Sequence, residues 1–294
     1  MKLLILTQKV DKSDPVLGFF HRWLQEFAKR FESIVVICLG KGEYSLPSNV
    51  KVLSLGKEEN VSKMTYLWRF YKYIWQERKS YEKVFVHMNQ EYVILGYKHW
   101  LVLRKPIFLW RNHAKGGFWT RLAVVFSKKV FYTSPESYTA RFKKAVKMPV
   151  GIDLNFFKPD PNVTRVHNST LFLGRISPVK KVLEFVDWVK NTDYSATIAG
   201  PILAKDQEYG EKVKKSLTEK IKYVGPVTQD GALKLYQTHE IYVNKTPAGS
   251  FDKTILEAAA CGMKLMVDNP VTDNLNIAEH GLVKLVDKLT QELR

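Results

Sequence analysis

Cysteine is rare in this 294-residue chain, and long apolar runs are missing. The two cysteines, Cys38 and Cys261, lie far apart, each inside an apolar stretch. This pattern excludes a disulfide framework and is typical of a reducing compartment. No run of about 18 apolar residues occurs, so no membrane span is predicted. The N-terminal MKLLILTQKV becomes polar at Thr7, which indicates a buried strand and not a signal peptide.

Metal-binding patterns are missing as well. No Asp-x-Asp pair falls on a predicted loop, and no cluster of histidine and cysteine has metal-ligand spacing. We therefore expect neither a metal nor another cofactor.

Hydrophobic residues make up 45% of the chain and aromatic residues 13%, which is enough for a substantial core. The length suits two domains or one large one.

Acidic residues are scarce in the first half of the chain. Residues 1–150 contain 27 Lys and Arg against 11 Asp and Glu, a net charge of +16. Residues 151–294 contain 19 against 18, a net charge of +1. The basic half indicates an anionic partner, which could be an anionic membrane, a nucleic acid or an acidic acceptor, although a solvated basic face gives the same pattern.

Apolar runs alternate with amphipathic segments along the first half. They predict strands at 2–6, 34–39, 50–55, 83–88, 106–110 and 129–134. The segment 19–30 has Phe20, Leu24 and Phe27 at helical spacing. Such alternation of strand and helix is typical of an α/β doubly wound parallel sheet.

The segment 62–83 is predicted to be one long helix in which aromatic and basic residues are interleaved. Trp68, Tyr71 and Trp75 alternate with basic residues such as Lys72. A helix of this kind suits a membrane interface. The pattern also fits an ordinary surface helix whose aromatic residues face the sheet.

A segment rich in proline and glycine, 148–163, separates the two halves. After it, strands are predicted at 170–174, 195–199, 221–224, 240–244 and 263–267, with helices at about 178–190, 208–217, 229–238 and 251–261. The predicted domains are 1–150 and 151–294. Two such α/β units leave a cleft between them, the usual place for a ligand.

Three charged residues follow predicted strand ends of the second half. Arg175 and Lys180 lie in GRISPVKK, where two cations could neutralise a diphosphate without a metal. Glu257 is the single acid of the helix in GSFDKTILEAAACG, for which Ser250 is the predicted N-cap. This segment alone allows two roles for Glu257: a solvent-facing residue or an acceptor for ligand hydroxyls.

These motifs together resemble a known family. GRISPVKK, then YVGPVTQDGALKLYQTHEIYVN, then GSFDKTILEAAACG resemble the second domain of family-4 retaining glycosyltransferases. The segment VGIDLNFFKP resembles a further signature of that family. The resemblance covers about 150–268 and implies the GT-B fold, with two Rossmann-like domains facing a cleft. It also implies transfer of a hexose from a UDP- or GDP-linked sugar to an acceptor hydroxyl.

The resemblance implies a role for each matching residue. Arg175 and Lys180 would bind the donor diphosphate, and Glu257 would accept hydrogen bonds from the ribose hydroxyls. His113 would lie beside the reacting sugar, with His87 as a second choice, whereas His21 is predicted to be at the surface. The remaining donor-binding positions are Gly18, Gly200, Gly225, Ser250, Phe251, Asp252 and Lys253.

The sequence also departs from the family. Gly249 stands where the family has an acid, and Asp252 could substitute for it. Lys181 stands where glycine is usual, the first loop has one glycine (Gly18) instead of two, and 268–276 reads DNPVTDNLN. Since the chain stops at Arg294, the family's C-terminal helix is expected to be missing or much shortened.

The resemblance implies metal-independent, front-face transfer with retention. The acceptor would be a glycan or a lipid-linked molecule, and the protein would be cytoplasmic, peripheral at the inner membrane face. Two other classes of function fit the sequence. One is a non-catalytic sugar-nucleotide binder, and the other is a nucleic-acid-binding protein that uses the basic half, although no nucleic-acid module is found.

Overall fold

The computed structural model describes residues 1–247, 252–268 and 275–294. These residues form twelve β-strands: β1 (Lys2–Val10), β2 (Ser33–Lys41), β3 (Val50–Ser54), β4 (Lys83–His87), β5 (Ile107–Trp110), β6 (Lys129–Tyr132), β7 (Ala145–Lys147), β8 (Val166–Leu173), β9 (Ser195–Ala199), β10 (Ile221–Tyr223), β11 (His239–Asn244) and β12 (Lys264–Val267). They also form nine α-helices: α1 (Phe19–Ala28), α2 (Lys63–Gln76), α3 (Glu91–Val102), α4 (Phe118–Phe126), α5 (Val182–Lys190), α6 (Gln207–Lys215), α7 (Gln229–Thr238), α8 (Lys253–Ala260) and α9 (Leu282–Glu292).

The chain divides into two compact units. Unit 1 comprises Met1–Gly151 and Leu282–Arg294, and unit 2 comprises Ile152–Gly281. The sequence-based division kept residues 282–294 with the second domain. In the structure α9 belongs to unit 1, because Leu285 and Leu289 enter the core that α1 covers.

Unit 1 contains a seven-stranded sheet in which every pairing is parallel. The strand order is β3-β2-β1-β4-β5-β6-β7. Alternate residues of β1 enter two different cores: Leu3 and Ile5 pack under α1 and α9, whereas Leu4 and Leu6 pack under α2, α3 and α4. The apolar run KLLIL is therefore that of a strand covered on both faces.

Helix α2 is shorter than predicted, and its aromatic residues face outward. It begins after Ser62, whose Oγ accepts a hydrogen bond from Thr65 N at 3.2 Å, and ends at Gln76. Phe70 and Ile74 are buried against the sheet, whereas Trp68, Tyr71 and Trp75 are exposed. The interpretation in which these three aromatic residues face the sheet was therefore wrong.

Four elements were not predicted from the sequence: α3, α4, the three-residue strand β7, and α9. Helix α9 has eleven residues, so a short C-terminal helix is present. Among the helices of the described segments, none is long and apolar enough to cross a membrane.

Unit 2 contains a five-stranded parallel sheet with the order β10-β9-β8-β11-β12. Strand order reverses between β8 and β11: the strands that follow β8 in sequence lie on one side of it, and those that follow β11 lie on the other. Both units are therefore α/β, Rossmann-like and doubly wound, as the strand–helix alternation predicted.

Candidate functional site

The candidate site lies in unit 2, at the carboxyl ends of β8 and β11. These two strands are neighbours, and their connections leave toward opposite sides of the sheet. In open α/β sheets, such a switch point leaves a crevice that binds ligands. Gly174 directly follows β8, and Asn244 is the last residue of β11. The motif residues that follow both strands are therefore brought to one edge of the sheet.

Lys180 and Asp252 meet at this edge. Lys180 closes a single 3-10 turn, Pro178–Lys180, and its Nζ lies 2.5 Å from Asp252 Oδ1. The Asp252 carboxylate also accepts hydrogen bonds from Asn244 Nδ2 at 3.1 Å and Thr246 Oγ1 at 3.0 Å. Both charged side chains are largely buried, with 12% and 16% exposed. Asp252 is thus held by one cation and two neutral donors, all from unit 2.

A second set of hydrogen bonds fixes the start of α8 to β11. The Tyr242 hydroxyl lies 2.7 Å from Thr254 Oγ1 and accepts a hydrogen bond from Asn244 Nδ2 at 3.3 Å. Burial raises the pKa of Tyr242, so its hydroxyl stays protonated. Asn244 therefore links the phenol to Asp252, and these hydrogen bonds connect the first turn of α8 to β11.

The start of α8 differs from the prediction. The helix begins at Lys253, and Asp252 occupies the N-cap position without a capping hydrogen bond from its side chain. Ser250, the predicted N-cap, lies outside the described residues, as do Phe251 and Gly249. Their predicted roles therefore stay predictions.

Glu257 is buried, with 4% of its surface exposed. Its Oε2 accepts a hydrogen bond from the Tyr236 hydroxyl at 3.0 Å. Burial raises the pKa of the Glu257 carboxyl, whereas the charge of Lys253, one turn earlier, and the Tyr236 hydroxyl act in the opposite direction. The solvent-facing alternative for Glu257 was therefore wrong. A ribose-binding role stays a prediction.

Arg175 and Lys181 lie in the connection from β8 to α5. Arg175 is exposed immediately after Gly174. Lys181 has left-handed backbone dihedral angles, φ 52° and ψ 42°. A residue with a Cβ is strained in this conformation, which explains physically why glycine suits the position.

Gly200 is required by close approach between strand ends. Its φ is +144°, and a Cβ built on it would lie 1.8 Å from Gly174 O. Gly200 N donates to Gly225 O at 2.8 Å, so the ends of β8, β9 and β10 are drawn together. The predicted role of Gly200 and Gly225 in donor binding stays a prediction.

Gly18 and the three histidines belong to unit 1. A Cβ on Gly18 would lie 2.6 Å from Asp14 O, so the loop's own backbone already requires glycine. His113 is exposed on the loop after β5, with its Nδ1 2.9 Å from Lys115 N. His87 is buried in the core, stacked on the Phe20 ring with centroids 4.2 Å apart.

His21 was predicted to be at the surface, and this was wrong. It is 6% exposed, and its Nε2 accepts a hydrogen bond from Ser45 N at 3.0 Å. Burial lowers the pKa of its imidazole. The neutral ring is therefore a core residue that satisfies a backbone donor.

Sequence reasoning missed four residues of the site: Tyr236, Tyr242, Asn244 and Thr246. For Asn244 a signal was present, since a polar residue ends the apolar strand HEIYVN. Tyr236 gives no such signal, because its partner Glu257 is 21 residues away on another helix.

Groups of acidic, histidine and cysteine side chains suited to a metal are not found among the described residues.

No protein-family model and no curated protein matches the sequence. Solved structures do match it. HepE of Anabaena, solved with UDP and glucose, is 14% identical, with a TM-score of 0.69 over 99% of this chain and 95% of that one. A glycosyltransferase of Rickettsia africae is 17% identical, with a TM-score of 0.64 over 99% and 88%.

A third solved structure is an enzyme of another kind. The UDP-GlcNAc 2-epimerase of Methanocaldococcus jannaschii is 13% identical, with a TM-score of 0.54 over 99% of this chain and 92% of that one. The fold by itself therefore does not select between transfer and epimerisation. What these likenesses show is that the chain has the GT-B fold, an α/β architecture of two Rossmann-like units.

Proposed function

We propose that this protein is a retaining glycosyltransferase of the family-4 type, which moves a hexose from a UDP- or GDP-linked sugar to an acceptor hydroxyl. One observation carries the proposal. Lys180, in the connection that follows β8, forms an ion pair with Asp252, the N-cap residue of α8. Helix α8 also carries the buried Glu257. A cation and a buried carboxylate thereby lie at the switch point of a Rossmann-like sheet, which is where such sheets bind nucleotides.

Each residue has a proposed task. Arg175 and Lys180 bind the diphosphate, and Glu257 accepts hydrogen bonds from the vicinal ribose hydroxyls, for which a carboxylate has two oxygens. Asp252 balances the charge of Lys180 until the diphosphate replaces it as the partner of that ammonium. His113 orients the donor sugar or the acceptor.

The proposed reaction proceeds on one face of the sugar and needs no metal. The bond from the sugar's C1 to the phosphate oxygen breaks, and a bond from C1 to the acceptor oxygen forms on the same face. The acceptor's proton passes to the leaving diphosphate oxygen. Arg175, Lys180 and the amide groups at the start of α8 stabilise the charge that develops on the diphosphate.

The acceptor is proposed to be a glycan or a lipid-linked molecule at the cytoplasmic face of an anionic membrane. The net charge of +16 over residues 1–150 supports an anionic surface as a partner. A nucleic-acid partner is less well supported, since no nucleic-acid-binding module is found in the sequence.

The proposal is tested by incubating the protein with UDP-glucose, UDP-galactose, UDP-GlcNAc and GDP-mannose, each with and without lipid-linked and oligosaccharide acceptors. Nucleotide release coupled to a product whose anomeric configuration matches the donor's by NMR supports it. Conversion of UDP-GlcNAc to its 2-epimer without an acceptor would identify an epimerase. Donor binding with no turnover of any sugar would identify a non-catalytic binder.

A further inference from the structure

Exposed apolar side chains concentrate on one layer of unit 1. Of the seventeen large hydrophobic residues that are exposed in the described chain, ten lie on α2, α3 or α4. They include Trp68 at 61%, Trp75 at 55%, Phe118 at 70% and Trp119 at 60% exposure. These helices make up a small part of the chain, so the concentration marks an interaction surface.

The three helices form a continuous layer, which we call the α2–α4 layer. All three bury side chains against the same face of the seven-stranded sheet. The Tyr71 hydroxyl of α2 donates to Leu95 O of α3 at 3.0 Å, and the Tyr97 ring of α3 stacks on Phe126 of α4 with centroids 3.7 Å apart. The exposed apolar side chains therefore share one outer surface.

Basic groups accompany the aromatic ones on this surface. Residues 62–128 contain 13 Lys and Arg against three Asp and Glu. Lys72 Nζ lies 4.7 Å from the centroid of the Trp68 ring, and Arg78 Cζ lies 4.3 Å from that of Trp75. Tryptophan rings with cations beside them suit the boundary between lipid phosphates and acyl chains.

A cleft opens in the same layer between the ends of α3 and α4. Its volume is about 390 Å³, and its walls include Leu101, Val125 and Phe126. Arg104, Lys105 and Lys128 also line it, and none of the described residues that line it is acidic. The ammonium of Lys105 is bonded to the carbonyl groups of Arg78 and Tyr81. The exposed Arg104 and Lys128 are therefore the charges that face an incoming anion.

We propose that the outer surface of the α2–α4 layer docks on an anionic lipid bilayer, with the α3–α4 cleft accepting a phospholipid headgroup. Trp68, Trp75, Phe118 and Trp119 would enter the interfacial region, and Arg104 and Lys128 would bind the headgroup phosphate. The inference extends the membrane part of the proposed function by naming the surface that binds. It does not depend on the chemistry at Lys180 and Glu257.

The test is sedimentation of the full chain with vesicles of phosphatidylcholine alone and of an equal mixture with phosphatidylglycerol. Binding to the mixed vesicles only, weakened by added salt, is expected. Trp68→Ala/Trp75→Ala should weaken it by about tenfold or more, because two interfacial rings are lost. Arg104→Ala/Lys128→Ala should weaken it by about fivefold for each charge removed.

Two controls match these changes. Tyr44→Ala removes an exposed ring outside the layer, and Lys215→Ala/Lys222→Ala removes two exposed charges of unit 2; both should bind like the original protein. Equal binding of all variants, or no binding to anionic vesicles, would overturn the inference. The inference would also be overturned if duplex DNA, at equal phosphate concentration, displaced the protein from the vesicles and if this displacement depended on the same residues. The affinity for UDP, measured by calorimetry, should be the same in the layer variants as in the original protein. This result separates the inference from the proposed function.

Discussion

Lys180 and Asp252, 72 residues apart in sequence, form a largely buried ion pair at the switch point of unit 2. The proposed diphosphate ligand must therefore compete with a carboxylate for the ammonium. This relationship was absent from the sequence-based assignment, in which Asp252 stands in for the acid missing at Gly249. The two roles of Asp252 lead to different results on mutation.

Asp252→Asn tests which role is correct. The substitution keeps the shape of the side chain but leaves the charge of Lys180 unbalanced, so UDP should bind about fivefold more tightly. The free energy of unfolding should fall on the order of 1–3 kcal/mol, because the buried ammonium loses its charged partner. Calorimetry and thermal unfolding measure the two effects. Unchanged UDP affinity with weaker binding of UDP-glucose would instead make Asp252 a ligand of the sugar.

Glu257 should make donor affinity depend on pH in the acidic range. Because burial raises its pKa above the ordinary 4.5, the carboxyl takes up a proton at a higher pH than a surface glutamate does. The affinity for UDP-glucose should therefore fall as the pH falls toward that pKa, since a protonated carboxyl accepts fewer hydrogen bonds. The donor's diphosphate stays ionised over this range.

Two variants control for other titrating groups. Glu257→Gln should bind UDP-glucose about tenfold more weakly at neutral pH and show no fall with acid. Tyr236→Phe removes the hydroxyl that opposes the pKa shift, so the fall should begin at a higher pH. A pH profile that is identical in Glu257→Gln and the original protein would show that another group titrates.

Gly200→Ala should destabilise unit 2 strongly. The new Cβ would collide with Gly174 O, and the φ of +144° disfavours any residue with a side chain. A loss of about 2 kcal/mol or more in the free energy of unfolding is expected. Gly174→Ala is the matched control, because its Cβ would meet only Phe172, at 3.9 Å. Equal stability of the two variants in urea unfolding would contradict this account of the strand ends.

Lys181→Gly should stabilise the protein relative to Lys181→Ala by about 1 kcal/mol. Both substitutions remove the exposed contact from Lys181 Nζ to Glu184 Oε2 at 3.2 Å, and such surface pairs contribute little. They differ in the Cβ, which is strained at φ 52°. Thermal unfolding of the pair measures the difference. A more stable alanine variant would mean that the left-handed conformation is not kept.

The sequence predicted most strands because a parallel strand covered on both faces is a continuous apolar run, as in Leu3 to Leu6. Helix α3 was missed for a related reason: EYVILGYKHWLV is apolar on nearly every side, so no helical period stands out. Strand β7 has only three residues, too few to show a pattern.

Contacts between distant residues could not be predicted. In the sequence, His21 has the position of a surface residue on an amphipathic helix. Its hydrogen-bond donor, Ser45 N, is 24 residues away and is not revealed by that pattern. The burial of Glu257 follows from the position of Tyr236 on another helix. The motif identified Glu257 as a candidate, whereas the partners of both residues depend on how the sheet and helices pack.

A nucleoside diphosphate sugar is proposed to bind through Lys180 and Glu257. Calorimetric titration of UDP-glucose and GDP-mannose tests it most directly, with Lys180→Ala, Glu257→Ala and, as a matched control, Lys190→Ala at the far end of α5. We expect one donor to bind, with an affinity that either site substitution weakens at least about tenfold and that the control leaves unchanged. Donor binding of unchanged affinity in both Lys180→Ala and Glu257→Ala would contradict it.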